Sequence, residues 1–168
     1  MSVDDLATVL HWRNHPDVRR FMLNQHEIGM NEHQAWFDSV SLDETRKLLI
    51  VQEAQIPLGF VQIRNVSLGS VADWGFYIRP DAPLGSGQKL GWAALEYAFG
   101  KLGIHKICGQ CIESNHASIA FHKKLGFQQE GLFGEKKFIG NKYHTLFCFG
   151  LMRTEWQPER FKQKDKYE

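Results

Sequence analysis

Two glycines, Gly85 and Gly87, stand two apart within Ile78–Gly91, between a β-rich segment and a strongly amphipathic one. Such glycines let the chain turn tightly and approach a ligand. They also leave successive N–H groups open at a helix N-terminus, an arrangement suited to a phosphate or pyrophosphate. The main-chain amides of Leu84, Gly85, Ser86, Gly87, Gln88 and Lys89 are therefore candidate anion ligands, with Lys89 as the charge. The loop is not a P-loop, because no G-x-x-x-x-G-K-[ST] occurs. Nor is it a dinucleotide fingerprint, because Gly91 comes too late and the following strand carries no ribose-binding acid. Taken alone, an ordinary glycine turn and helix cap explains it equally well.

A second segment changes that balance. Cys111–Phe127 places Asn115, Ser118, Lys124, Gly126 and Phe127 in a pattern that resembles the strand-to-helix signature of the GCN5-related N-acetyltransferases. The Gly85-x-Gly87 loop precedes Asn115 by 30 residues, where that family keeps its acetyl-CoA pyrophosphate loop. The resemblance implies acetyl-CoA as co-substrate, with Asn115, Ser118, Phe121 and Lys124 beside it. It also implies an α/β (α+β) fold: a mixed, mostly antiparallel sheet, helices on both faces, and splayed central strands. Four further segments, Trp12–Arg19, Asn31–Phe37, Trp74–Ile78 and Gly140–His144, resemble one bacterial branch of the family. That branch acetylates the 4-amino group of a UDP-linked 4-amino-4,6-dideoxy sugar in pseudaminic acid synthesis for flagellin glycosylation. The likeness covers residues 5–152 and implies a nucleotide-sugar acceptor. Arg13 and His33 would meet its diphosphate, and Phe21, Met30 or Trp36 would stack on uracil. Core packing of Phe21 and Trp36 is the competing account. The resemblance also leaves room for a homodimer.

Three departures from the family pattern stand out. The chain begins almost inside the first helix, where the family usually has an edge strand. Leu84 replaces the arginine or glutamine that often opens the glycine loop, and Lys89 stands where a glycine is usual. His122 aligns with the tyrosine that often protonates the departing thiolate.

Acetyl transfer from a thioester needs a neutral amine, donors for the developing oxyanion, and a proton or positive field for the thiolate. Backbone N–H groups around Phe76, Tyr77 and Ile78 are the candidate donors. A thiol with pKa ~8.5 needs only a modest acid, so His122 is the first candidate and Tyr143 the second. The acceptor amine needs a base, for which a water relayed by Asp73 or Glu113 is the candidate.

These groups must be carried by a scaffold. Leu6, Val9, Leu10 and Arg13 predict a helix over Asp4–Asn14 that Pro16 ends, and Ala35, Trp36, Phe37 and Val40 predict a second after Asn31. Leu48–Val51, Leu58–Ile63 and Val71–Ile78 read as an antiparallel meander. A helix over Gln88–Leu102 follows, then a strand over Lys106–Ile112 and a helix from Asn115 to Leu125 with Gly126 at its left-handed end. Strands near Phe127–Phe138 and Tyr143–Met152 complete the order ααβββαβαββ. The resulting division is a single domain over 1–152 and a polar, solvated tail over 153–168.

With 168 residues, 43% of them hydrophobic, and a formal net charge of +1, the chain is long enough for one core and too balanced for general nucleic-acid binding. No apolar run reaches a membrane span and no signal peptide is visible, and three cysteines cannot make a disulfide framework, so a cytoplasmic protein is expected. No metal is expected either. Cys108 and Cys111 fall three apart on a strand and so face opposite sides, and the His11/His15 pair lacks an acidic third ligand. Beside the sugar-acetylating enzyme stand two alternatives: an acetyltransferase acting on a protein N-terminus or another small amine, and a non-catalytic acyl-CoA-binding module.

Overall fold

The structure, a computed structural model, describes residues 1–158. A short 3-10 turn (Val3–Asp5) leads into α1 (Leu6–Asn14), α2 (Pro16–Arg19) and α3 (Met30–Ser41). The meander β1 (Lys47–Glu53), β2 (Ile56–Arg64), β3 (Val71–Ile78) follows. Then come α4 (Ser86–Glu96) with a π-helical turn (Tyr97–Lys101), β4 (Lys106–Ile112), α5 (His116–Leu125), β5 (Gln128–Ile139) and β6 (Lys142–Met152). Six strands form one sheet in the order β1-β2-β3-β4-β6-β5, antiparallel throughout except for β3 and β4. The expected mixed, mostly antiparallel sheet with helices on both faces is therefore present.

Alternation along the strands divides the apolar residues between two faces. Val61, Ile63, Ala72, Trp74, Ile107, Cys111, Phe149 and Leu151 join Leu90, Ala94, Leu95 and Leu125 in the main core beneath α4 and α5. On the opposite face, Phe60 packs with Val9 and Trp12 of α1, bordered by Tyr77, Leu48 and Trp36. Farther along that face, Ile112, Ile139 and Leu146 are capped by Phe21 from the α2–α3 loop. Gly91 lets α4 and α5 approach: a Cβ there would stand 2.5 Å from Leu125 Cδ1 and 2.7 Å from Phe121 Cζ.

Three expectations change. Pro16 ends the first helix but also starts α2, where it occupies the first turn and His15 Nδ1 accepts the Asp17 N–H. Ala35 is exposed and adds nothing to the α3 stripe. The segment after Met152 is not wholly solvated: Trp156 packs on the main core, its ring 6.2 Å from that of Phe99. The tail beyond residue 158 lies outside the described residues.

Candidate functional site

Strands β3 and β4 run parallel but pair only at Val71–Asp73 with Lys106–Cys108. Beyond that point each stays bonded to its other neighbour, β3 to β2 as far as Ile78 and β4 to β6 as far as Ile112. The gap between them is the splay that the sequence leads one to expect. Arg79 N–H donates to Leu58 O across β2, and donors alternate along a strand, so the N–H groups of Phe76 and Ile78 point into the gap. By the same alternation, Glu113 N–H bonds Thr145 O and the N–H groups of Gln110 and Ile112 face the gap from β4. Main-chain donors in so apolar a slot need acceptors. An amide-bearing chain laid along the slot supplies them, so the geometry fits the pantetheine arm of acetyl-CoA. Tyr77 alternates to the other face, where burial raises its phenol pKa and its hydroxyl donates to Val9 O at 3.5 Å.

At the mouth of the slot, Gly85 is the left-handed N-cap of α4 (φ 87°), a conformation that explains why glycine is needed there. The loop offers fewer open amides than the sequence suggests. Ser86 N–H is bonded to Pro83 O, and those of Gln88 and Lys89 to Gly85 O. Leu84, Gly85 and Gly87 carry the amides the loop can offer a pyrophosphate. Leu84 is fully exposed, and the Lys89 ammonium sits 2.6 Å from Glu53 of β1, a carboxylate with which a bound phosphate would compete.

The α5 residues divide by role. Asn115 Oδ1 accepts the Ser118 N–H at 3.0 Å, so Asn115 is the helix cap. Phe121 packs on Phe76 with ring centroids 4.6 Å apart and forms a wall of the slot beside Gly87. Lys124 is exposed on the helix. His122 does not hold the place expected of a general acid. It is 1% exposed, Nδ1–H donates to Ser118 O at 2.8 Å, and Nε2 accepts the Trp74 indole N–H at 3.2 Å. A carbonyl can only accept and an indole N–H only donate, so these partners fix one neutral tautomer. Burial pushes its pKa down to about 4. The ring fills the floor of the slot, stacked 4.7 Å from Phe149 and set so close to Gly109 that a Cβ there would collide with it. Tyr143 is exposed and packs against Phe138 with ring centroids 5.0 Å apart.

Asp73 stands where the β3–β4 pairing ends, with its carboxylate accepting from Asn65 Nδ2 at 2.9 Å. Glu113, just past β4, accepts from His144 Nδ1 at 2.9 Å, and its other oxygen is buried without a hydrogen-bond partner. Arg13 is half-buried and pins the α2–α3 loop through Asn24 O, while Asn14 exchanges two hydrogen bonds with Ile28. Phe21 reaches Ile112 at the end of β4, Ile139 at the end of β5 and Leu146 of β6, and Met30 is exposed at the start of α3. His33 and Trp36 do not line an acceptor site. His33 is 4% exposed, stacked on Trp36 at 5.1 Å, its pKa lowered by burial, and Trp36 packs against Phe60. Trp36 thus packs on the core residue Phe60, and His33, expected at the diphosphate, is buried against it.

Sequence reasoning passed over a cavity of about 380 Å³ at the C-terminal end of β3, lined by His11 and Trp12 of α1, by His15 between α1 and α2, and by Arg79 and Asp81. In the sequence the two histidines stand out only as an incomplete metal pair. Burial raises the pKa of all three thiols, Cys108, Cys111 and Cys148, so none is a ready nucleophile. Among the described residues no cluster of three His, Cys, Asp or Glu is placed to hold a metal, and no helix is long and apolar enough to cross a membrane.

A family model described as "Acetyltransferase (GNAT) domain" matches residues 1–128. The chain is 26% identical over 127 residues to the acetyltransferase PseH of Campylobacter jejuni, covering 76% of this chain and 79% of that protein. It is 23% identical to the spermidine N(1)-acetyltransferase of Vibrio cholerae over 155 residues, 90% of each chain. A crystal structure of spermidine N-acetyltransferase from Vibrio cholerae, in complex with CoA and spermine, superposes with a TM-score of 0.85 at 20% identity, covering 92% of this chain and 94% of that one.

Proposed function

Because this chain belongs to the GNAT acetyltransferase family and transfers an acetyl group from acetyl-CoA to an amine, we propose that its acceptor is a UDP-linked amino-dideoxy sugar, acetylated at the 4-amino group as in pseudaminic acid biosynthesis and flagellin modification. The N-terminal segments that resemble the sugar-acetylating branch support this reading, as does the likeness to PseH. The observation that carries it is the cavity at the C-terminal end of β3, where two imidazoles flank the Arg79 guanidinium, itself 2.9 Å from the one lining carboxylate, Asp81. Its carboxylate is already paired, so the lining holds no spare negative charge for a polycationic amine, while the guanidinium and the imidazoles offer N–H donors to a diphosphate. In this reading His11, His15 and Arg79 take the phosphates, and Phe21 and Met30 flank the base, with Arg13 holding their loop in place.

The residues divide the work as follows. Leu84, Gly85 and Gly87 amides hold the pyrophosphate with Lys89. The Phe76 and Ile78 amides polarise the thioester carbonyl, each such donor stabilising the transition state by roughly 3–4 kcal/mol. The thiolate takes its proton from solvent, with Tyr143 the side-chain alternative. The protein acts in the cytoplasm, where acetyl-CoA and nucleotide sugars meet.

Thiol release from acetyl-CoA, measured with a UDP-4-amino-4,6-dideoxy sugar, spermidine and an N-terminal peptide as acceptors, tests the assignment. The nucleotide sugar should give the highest kcat/KM, and Arg79→Ala should raise its KM without changing that of acetyl-CoA. Preference for spermidine or peptide would refute the sugar reading. Coenzyme binding with no acceptor consumed would point to a sensing module instead.

A further inference from the structure

We propose that Glu113 and His144 form the proton-accepting dyad of the acetyl transfer, with Glu113 positioning the imidazole and His144 Nε2 taking the proton from the acceptor amine. The inference rests on the amine-acetylating reading above, but not on which amine is used. Its basis is placement. The main core lies beneath α4 and α5, so a coenzyme held by α4's N-terminus lies on that face of the sheet. On the other face, α1 and α3 pack over β1, β2 and β3, while Phe21 from the α2–α3 loop packs on Ile112 at the end of β4 and on Leu146 of β6. An acceptor entering the slot has that face to approach from. His144 alternates with Thr145 and so shares its strand face with Leu146, in the cluster that Phe21 caps.

His144 is 7% exposed, and its Nδ1 lies 2.9 Å from Glu113 Oε1. A carboxylate accepts only, so Nδ1 carries the hydrogen and the Nε2 lone pair is left for a ligand. The second Glu113 oxygen, buried without a partner, is positioned to compensate the imidazolium or the incoming ammonium. Asp73 is the weaker candidate, since its carboxylate is already engaged by Asn65. The charged groups around the ring are Glu113, Lys142 on its own strand, and Lys137, its cross-strand partner on β5. Arg20 stands on the loop that packs here, 4.8 Å over the Phe21 ring. The step balances: the ammonium gives one proton to Nε2, the freed lone pair forms the C–N bond as the C–S bond breaks, the second proton on nitrogen leaves to solvent, and solvent supplies one to the thiolate. The amide keeps the third.

Three measurements test it: kcat/KM against pH for the acceptor, CoA affinity by calorimetry, and ¹⁵N NMR titration of the imidazole in the protein without ligands. His144→Gln should lower kcat/KM by about 100-fold or more, abolish the acid limb of the profile, and leave CoA affinity within about two-fold of wild type. Glu113→Gln still accepts from Nδ1 but loses the charge. With the compensating carboxylate charge gone, the acid limb and the NMR titration of His144 should both move to lower pH. A His144→Gln enzyme that keeps its rate and acid limb overturns the dyad. If that variant binds no CoA, Glu113→Gln decides, and an unmoved acid limb is then the overturning result. Should the wild-type protein acetylate no amine, the reading of the reaction fails, and the NMR arm still judges the pair: a titration indifferent to Glu113→Gln overturns it.

Discussion

Lowering the pH should destabilise this protein through one buried ring. His122 is 1% exposed, neutral, and bonded through both nitrogens. Its pKa is about 4 in the folded chain, against an ordinary value near 6.5, burial being the main cause. Between those two pH values the unfolded chain binds more protons than the folded one, so stability rises with pH through that window. The contribution is fully present above about pH 6.5 and lost as the pH falls to about 4. A gap of that size corresponds to about 3 kcal/mol, or roughly 6–12 °C in Tm for a chain of this length. Urea unfolding across pH 4 to 7.5, for wild type and His122→Gln, measures it. His33, also buried with a lowered pKa, and the carboxylates titrate in both proteins, so the difference between the curves isolates His122. The wild-type advantage should shrink steadily as the pH falls. Parallel curves would refute the assignment of a buried, neutral imidazole.

Gly91→Ala should force Phe121 and Leu125 apart at the α4–α5 contact, costing about 1–3 kcal/mol and weakening acetyl-CoA binding, as thermal unfolding and KM would show. Gly85→Ala places a Cβ at φ 87°, a strain of roughly 1–2 kcal/mol; the expected outcome is a several-fold higher KM for acetyl-CoA with little change in kcat. Asn115→Ala removes the cap that accepts the Ser118 N–H and should lower stability by about 1 kcal/mol, read from the denaturant midpoint.

Much of the scaffold was legible because its punctuation is local. β4 runs from Lys106 to Ile112 as expected, since Gly103 and the Glu113-Ser114-Asn115 turn bound a short apolar run. α5 is marked at both ends, by the Asn115 cap and by Gly126 at φ 97°. Pro16 was harder, because a proline that stops one helix is equally suited to the first turn of another. The π-helical turn at Tyr97–Lys101 was invisible to a 3.6-residue pattern that ran unbroken to Leu102.

The site was less legible, because its key contacts join distant positions. Trp74 and His122 are 48 residues apart, and their hydrogen bond turns an expected proton donor into a structural ring. Glu113 and His144 are 31 apart. Strand alternation pairs His144 with the buried Leu146, which was a usable signal; nothing in the local sequence names its partner. Trp36 fits the apolar stripe of α3, and the same stripe could have warned that His33, three residues earlier, also turns inward.

Only three residue steps of direct pairing, Val71–Asp73 against Lys106–Cys108, rivet β1-β2-β3 to β4-β6-β5 within the sheet. The rest of that seam is held by side chains from α4 and α5 on one surface. A coenzyme arm threaded along the seam would add rungs to an incomplete ladder, so occupancy should tighten both leaves together. Heat resistance would then climb with CoA concentration, and amide exchange should slow first at Phe76, Ile78, Gln110 and Ile112.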